Sequence, residues 1–220
     1  MDNVTRIERF WHDLEAWLKQ TAPHWLETLP PPVSNDTLKA LESQLGFSLP
    51  EEFKASYRIH DGLGESKLLR LERHQHPQYQ VYGVFHETVW EWLPLAAIAP
   101  IYNQTICIYK EIFPEAAFRQ VEGVTSLKGP VKSHRWNERW IPFQTLNGSD
   151  IVTYLDLDPD KGGVHGQIIQ QDMEGCHQEV VAFSLAAWLE RHLGNLQSSF
   201  YDSKRDVFWV SREDFENSKP

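Results

Sequence analysis

The sequence predicts an α+β fold in which helices come first, a mostly antiparallel sheet follows, and one further helix packs near the carboxyl terminus. Three observations carry this prediction. Apolar residues recur every three or four positions at the start of the chain, β-branched and aromatic runs fill its middle, and helical spacing returns near residue 185. With 220 residues, 41% of them hydrophobic, the chain can bury one sizeable core, so we expect a single domain.

The first third of the chain is predicted to be helical. Apolar residues between positions 7 and 18 have the spacing of an amphipathic helix, and the three prolines at 30–32 exclude helix after it. A second helix should begin at Ser34 or Asn35 and end at Gly46. A short third helix should occupy residues 50–60, with its first-turn glutamates placed there by the helix dipole rather than for acid–base chemistry.

From about residue 67 the pattern changes from helix to strand. Runs rich in β-branched, aromatic and aliphatic residues predict strands, first KLLRLER, QYQVYGVFHE and QTICIYK, then RWIPFQTL, DIVTYLDL and HGQIIQQD. Asn147-Gly148 predicts a tight turn between the first two strands of the later group. The segment WEWLPLAAIAPIY is ambiguous, because its alanines favour a short helix that Pro94 and Pro100 would limit.

The remaining segments are an irregular middle and a helical end. Residues 114–137 contain two glycines and an internal proline and are interpreted as a loop. A helix capped by Ser184 and ended by Gly194 should follow the sheet, and VFWV should form one last short strand.

The composition favours a cytoplasmic protein. No apolar run approaches the roughly 20 residues that cross a bilayer, and the polar amino terminus is unlike a secretory signal. Two cysteines, Cys107 and Cys176, are too few for a disulfide framework. The net charge of −10 argues against direct binding of nucleic acid and permits recruitment of a basic partner, although solubility alone also accounts for such a charge.

The stretch DLDPDKGGVHGQII begins like a calcium-binding loop, with Asp156, Asp158 and Asp160 alternating. An EF-hand loop needs glycine at its sixth position and a bidentate glutamate at its twelfth, where this chain has Lys161 and Gln167. The flanking segments are also strand-like where an EF-hand has helices. We therefore predict a strand, a turn through the sequence PDKGG and a second strand, with no metal bound. In the first strand, alternation should place Ile151, Thr153 and Leu155 on one face and Val152, Tyr154 and Asp156 on the other.

Other candidates for chemistry are few. Glu72, His74 and His76 could bind zinc, but a solvent-facing loop edge explains them better. Cys107 lies in an apolar run and is expected in the core, while Cys176 and the adjacent histidine would point apart on a strand. The sequence has no nucleophile elbow, zinc-protease motif or phosphate loop. We expect neither a catalytic group nor a cofactor.

The order of four segments resembles the SUKH superfamily: LESQLGFSLPEEFKASYRIHDG, WIPF, DIVTYLDLDPDKGGVHGQII and SLAAWLERHL. That superfamily includes fungal Smi/Knr regulators of cell-wall (glucan) synthesis and many bacterial immunity proteins. The residues that carry the resemblance and whose role should be mainly structural are Leu49, Pro50, Phe53, Asp61, Gly62, Trp140, Pro142, Pro159 and Gly166. Asp156, Asp158 and Ile168 also match the pattern. The likeness covers roughly residues 38–193, whereas residues 102–137 are longer than the pattern and the first helix lies outside it.

The resemblance implies an α+β fold and a role in binding other proteins. It divides the chain into a helix and proline-rich linker at 1–32, the SUKH-like domain at 33–197, and a strand and tail at 198–220. One implied role is immunity, in which the protein binds and blocks a cognate toxin domain, often a nuclease. The alternatives are a regulatory scaffold in cell-wall synthesis and an enzyme whose dispersed site leaves no local motif.

A partner that acts on nucleic acid should be met by an acidic face with aromatic anchors. We expect a protein partner, for which a basic toxin domain is the candidate, with no direct contact to nucleic acid or membrane and with the oligomeric state left open. The candidate contact residues are the acids Asp156, Asp158, Asp160, Glu111 and Glu115, with Glu65 and Glu72 as further acids and Trp136 as an exposed anchor.

Overall fold

The computed structural model describes residues 1–65, 90–112, 126–146, 151–173, 177–209 and 212–213. Its helices are α1 (Asn3–Thr21), α2 (Pro23–Leu26), α3 (Asn35–Leu45), α4 (Glu51–Tyr57), α5 (Leu95–Ile112) and α6 (Leu185–Ser198). Its strands are β1 (Gly64–Glu65), β2 (Trp90–Trp92), β3 (Ser126–Lys128), β4 (Trp140–Leu146), β5 (Ile151–Asp156), β6 (Gln167–Asp172), β7 (His177–Ala182), β8 (Phe200–Asp202) and β9 (Val207–Trp209).

Seven of the described strands form one sheet in the order β1-β2-β4-β5-β6-β7-β3. Every neighbouring pair is antiparallel except β3 and β7, which are parallel, and β8 pairs with β9 separately. The predicted alternation along β5 is confirmed. Leu155 joins the core on the helical side of the sheet, whereas Val152 and Tyr154 belong to a smaller cluster on the opposite side. The predicted α+β class with a mostly antiparallel sheet is confirmed.

Helix α1 is part of the main core although it precedes the family-like segment. Its apolar stripe is buried, as the spacing predicted. The Trp11 ring stacks on Trp92 with centroids 5.5 Å apart, and Trp11 Nε1 donates a hydrogen bond to Ser56 Oγ at 3.0 Å. Because these contacts join α1 to both α4 and β2, the first helix and the sheet share one interior.

The second face of the sheet is covered by residues 129–137, which we call the covering segment. Val131 of this segment packs with buried side chains of three strands, namely Trp140, Val152, Tyr154 and Ile169. Buried glutamines also hold the segment, because Gln167 Nε2 donates to the Pro130 carbonyl at 2.9 Å and Gln171 Nε2 donates to the Arg135 carbonyl at 2.7 Å. The predicted loop is therefore fastened to the sheet.

Several local predictions hold and four are wrong, one of them the loop interpretation of residues 126–128, which form strand β3. Ser34 and Ser184 cap α3 and α6, and Gly46 ends α3 in a left-handed conformation. The run QTICIYK, predicted as a strand, lies in α5, which contains Pro100 and buries side chains at helical spacing from Leu95 to Tyr102. Cys107 is exposed on this helix and not in the core. Helix α6 continues through Gly194 to Ser198.

Some predictions fall outside the described residues. They are the strands KLLRLER and QYQVYGVFHE, the turn at Asn147-Gly148, the candidate zinc ligands Glu72, His74 and His76, and the residues Glu115 and Cys176. Among the helices that are described, none combines the length and the apolar character needed to cross a membrane.

Candidate functional site

The family-like motifs meet at one end of the sheet. Strand β4 begins there, β5 ends and β6 begins, and the paired residues Trp140, Asp156 and Gln167 mark the boundary. The ideal Cβ position of Gly166 lies 4.0 Å from Pro50 Cγ, which brings the start of α4 to the same place. We call residues 47–52, 139–140, 156–167 and 182–185 the hairpin end, and residues 157–166 within it the hairpin loop.

Asp156 is the centre of the hairpin end and is fully buried. Its Oδ1 accepts hydrogen bonds from Trp140 Nε1 at 3.0 Å and from the Asp158 amide at 2.9 Å, and its Oδ2 accepts one from Gln167 Nε2 at 2.8 Å. Burial raises the pKa of Asp156, and these hydrogen bonds oppose that effect. The expectation of an exposed acid is therefore wrong, because this carboxyl group fastens both ends of the hairpin loop.

The other two acids of the loop differ from each other. Asp158 is partly exposed and pairs with Lys132 Nζ at 2.6 Å and Asn137 Nδ2 at 2.9 Å. Burial disfavours its ionised form, but the hydrogen bonds outweigh burial and the pKa of Asp158 is lowered. Asp160 is exposed, and the exposed Lys161 follows it directly. The acidic face predicted from three aspartates is thus reduced to one freely exposed carboxylate beside a lysine.

The expected aromatic anchor is also buried. Trp136 is enclosed in the main core, its ring centroid 5.9 Å from that of Tyr102, and the Tyr102 hydroxyl donates to the Glu138 carbonyl at 2.7 Å. The prediction that Trp136 is exposed is wrong, because the covering segment and α5 enclose its ring. Glu111 is exposed near the end of α5, away from the hairpin loop in sequence.

The remaining motif residues occupy structural positions. Leu49, Phe53 and Trp140 are buried. Asp61 Oδ1 accepts a hydrogen bond from the Leu95 amide at 2.6 Å at the start of α5. A Cβ on Gly62 would lie 2.6 Å from the Trp92 carbonyl oxygen, so only glycine permits this backbone approach.

Pro142 lies in strand β4, and Pro159 lies in the hairpin loop. The pairing of β4 with β5 shifts register between Pro142 and Gln144, as expected where a proline removes a ladder donor. A Cβ on Gly163 would lie 2.6 Å from Pro159 Cβ, so proline and glycine pack closely in the turn. Gly162 has φ of +90°, as the predicted turn requires, and Gly166, three residues after that turn, has φ of +85°.

Sequence reasoning missed Glu52, a buried acid beside the hairpin loop. Its Oε1 lies 3.5 Å from both the Leu185 amide nitrogen and the ideal Cβ position of Gly166. Burial raises the pKa of Glu52, against the effect of the amides of α6 and the charge of Arg6. The dipole interpretation fits Glu51, which is exposed, but it overlooked that Glu52 lies on the buried face of α4.

Sequence reasoning also missed two exposed apolar side chains. Val164 is 46% exposed within the hairpin loop, and Phe183 is 57% exposed directly before α6. The Val164 amide donates to Gln167 Oε1 at 3.1 Å, and Ala182, next to Phe183, pairs with Ile168. Both side chains therefore belong to the hairpin end. An apolar residue inside an otherwise polar turn was the available signal for Val164.

The hairpin end combines a buried polar network with exposed apolar side chains. Within the described ranges, no group of three or more His, Cys, Asp and Glu side chains could hold a metal ion. The buried carboxylate of Asp156 has hydrogen-bond donors on both oxygens. What the hairpin end presents to solvent is a fixed loop and exposed apolar groups.

Comparison with known proteins places this fold in a family. The chain matches the sequence model of the SMI1/KNR4 family (SUKH-1) over residues 32–191. F-box only protein 3 of Mus musculus is 34% identical over 62 residues, which are 28% of this chain and 13% of that protein, and the Bos taurus and Homo sapiens proteins of the same name match equally. The chain thus spans 13% of the length of these relatives. Because the family match covers well over half of the chain, the protein belongs to the SMI1/KNR4 family (SUKH-1).

Proposed function

We propose that this chain is a protein-binding domain of the immunity type, which binds and neutralises a cognate toxin domain in the cytoplasm and catalyses no reaction itself. Membership of the SMI1/KNR4 family supports this, because the chain resembles immunity proteins of the same superfamily. The net charge of −10 supports it as well. A toxin that cleaves nucleic acid needs a basic surface for phosphates, which an acidic inhibitor complements.

The observation that carries the proposal is the rigid attachment of the hairpin loop. Asp156 accepts hydrogen bonds from the Asp158 amide near the start of the loop and from Gln167 directly after it, and Gln167 extends the same network to Val164 and the Pro130 carbonyl. A loop held in place before binding loses little conformational entropy when a partner docks. This favours a preorganised binding surface over a flexible tether.

Regulatory scaffolding of cell-wall synthesis is the second candidate. The family match itself favours it, since the family takes its name from the SMI1/KNR4 group that includes fungal regulators of this process. Both roles use a protein-contact surface, and they differ in the partner that is bound.

The test is to recover the partner and measure what the complex does. The tagged chain is purified from its native cells, bound polypeptides are identified by mass spectrometry, and each is expressed with and without this chain. We expect a basic polypeptide that arrests growth alone and is tolerated when this chain is present. If the bound polypeptides are cell-wall synthesis proteins that do not arrest growth, the scaffold role is favoured. If this chain by itself converts a substrate of a bound polypeptide, an enzymatic role is favoured.

A further inference from the structure

We propose that Val164 and Phe183 form the centre of the partner contact, and that the partner is a basic protein which covers both with apolar side chains of its own. The inference rests on the proposed function of protein binding and adds the location and chemistry of the contact. It departs from the sequence-based expectation, in which aspartates of the hairpin loop and Trp136 made the contact.

The two side chains flank one buried group. Gly166, two residues after Val164, has its ideal Cβ position 3.5 Å from Glu52 Oε1. Leu185, two residues after Phe183, has its amide nitrogen 3.5 Å from the same oxygen. Val164 and Phe183 each stand two residues before a group that lies 3.5 Å from Glu52 Oε1, although 18 residues separate them in sequence.

Both side chains are held by fixed backbone. Val164 donates its amide hydrogen to Gln167, whose side chain is fully buried. Phe183 directly precedes Ser184, the cap of α6, whose Oγ accepts from the Ala187 amide at 3.1 Å. Aromatic residues, Phe among them, are enriched in the cores of protein interfaces, and preorganised groups lose less conformational entropy on binding. Exposed apolar side chains on fixed backbone, such as Phe183 and Val164, therefore have the properties of interface anchors.

Charge selects the class of partner. Opposite charges adjoin at the hairpin end and next to it, since Lys161 follows Asp160 and, close to Glu52, Arg6 Nε donates to Glu190 Oε1 at 2.8 Å. The chain as a whole carries a net charge of −10 at pH 7. That charge repels a second copy, nucleic acid and anionic lipid, and attracts a basic protein. We infer that the net charge accelerates association, whereas the two interface anchors slow dissociation.

The test compares three variants against the basic polypeptide identified by copurification and purified separately. Phe183→Ala and Val164→Ala remove the anchors. Leu127→Ala is the matched control, because Leu127 is 41% exposed and lies beside the first residues of β7, at the other end of the strand that leads to Phe183. Circular dichroism and urea unfolding verify that each variant folds.

Association and dissociation rates are measured by surface plasmon resonance at several salt concentrations. We expect Phe183→Ala to raise the dissociation rate by about tenfold or more, with a smaller rise for Val164→Ala and none for Leu127→Ala. Added salt should slow association of all forms alike. If the wild-type chain binds and Phe183→Ala and Val164→Ala bind equally well, the inference is overturned and the proposed function stands. If the wild-type chain does not bind the purified polypeptide, both the inference and the proposed function are overturned.

A second copy of the chain is the competing occupant. Sedimentation velocity of the chain alone should show a monomer. A dimer that Phe183→Ala dissolves would assign the surface to self-association and would overturn the inference.

Discussion

Glu52 and Leu185, 133 residues apart in sequence, meet at the start of helix α6, where Glu52 Oε1 lies 3.5 Å from the Leu185 amide nitrogen. Ser184 satisfies the next amides of this helix, because its Oγ accepts from Ala187 and its carbonyl accepts from Trp188, both at 3.1 Å. The first amides of α6 face Glu52 instead. A carboxyl group of α4 thus caps a helix distant in sequence.

Neutralising Glu52 and its neighbour Glu51 should change the pH dependence of stability in opposite directions. Burial raises the pKa of Glu52 above 4.5, the ordinary pKa of a glutamate. Its contribution to the free energy of unfolding is therefore complete below pH 4.5 and is lost as the pH rises through the folded-state pKa. Hydrogen bonds from Arg58 and Lys54 lower the pKa of Glu51, so its contribution is present above 4.5 and is lost on acidification.

Urea unfolding across a pH series measures both effects. Relative to Glu52→Gln, the wild-type free energy of unfolding should fall as pH rises, and relative to Glu51→Gln it should rise. Glu52→Ala leaves the first amides of α6 uncapped, so it should lower the free energy of unfolding by about 1 kcal/mol. Parallel pH profiles for the two glutamine variants would contradict this account.

Asp156→Asn should destabilise the fold although it is nearly isosteric. The new amide group would face the amide group of Gln167, and Gln167 cannot rotate without losing its bonds to the Pro130 carbonyl and the Val164 amide. We expect a loss of about 2 kcal/mol in urea unfolding, with faster hydrogen exchange in the hairpin loop. Asp160→Asn is the control, expected within about 0.5 kcal/mol of wild type because Asp160 is exposed. Equal stability of the two variants would contradict the assigned role of Asp156.

Replacing Gly166 and Gly194 with alanine should change the free energy of unfolding in opposite directions. Gly166 has φ of +85°, so Gly166→Ala should cost about 1–2 kcal/mol, even though its new Cβ would make only ordinary contacts. Gly194 lies inside α6 with open space around it, so Gly194→Ala should add about 0.5–1 kcal/mol. Thermal unfolding of both variants tests this, and a stabilising Gly166→Ala would refute the turn geometry.

A fragment restricted to residues 32–191, the extent of the family match, should not unfold cooperatively. Without α1, Trp92 and Ser56 lose the side chain that covers them, and the buried face of α4 meets water. Removing one buried tryptophan alone costs about 3–5 kcal/mol, a large part of the stability of an ordinary domain. Tryptophan emission and urea titration compare the fragment with the full chain. A sharp transition in the fragment would show that α1 is dispensable.

Reversing the charge of an exposed aspartate in the hairpin loop should change the association rate and leave the dissociation rate unchanged. Asp160 is the aspartate to reverse, because it is exposed. Asp160→Lys should slow association with a basic partner by about twofold at low salt, with less effect at high salt. Asp158→Lys is unsuitable as a companion, because Asp158 pairs with Lys132 and its reversal would disturb the covering segment. An unchanged association rate across the salt series would remove Asp160 from the contact.

The features predicted correctly from the sequence are those governed by near neighbours along the chain. The apolar stripe of α1, the caps at Ser34 and Ser184 and the left-handed Gly46 each depend on residues within about one helical turn. The alternating faces of β5 depend on the two-residue period of a strand. The class of the fold followed because these local signals agreed with one another.

The site was decided by contacts between residues that are distant in sequence. Asp156 is buried because Trp140 and Gln167 donate to it from neighbouring strands, and Trp136 is buried because Tyr102 of α5 packs against it. An isolated acidic turn or a tryptophan in a polar stretch has no local property that reveals such partners. The segment from Leu95 to Ile112 is helical for a related reason, since its apolar residues suit either period and burial of one helical face selected between them. Local sequence therefore determined which elements form, and tertiary packing determined which polar and aromatic groups reach the surface.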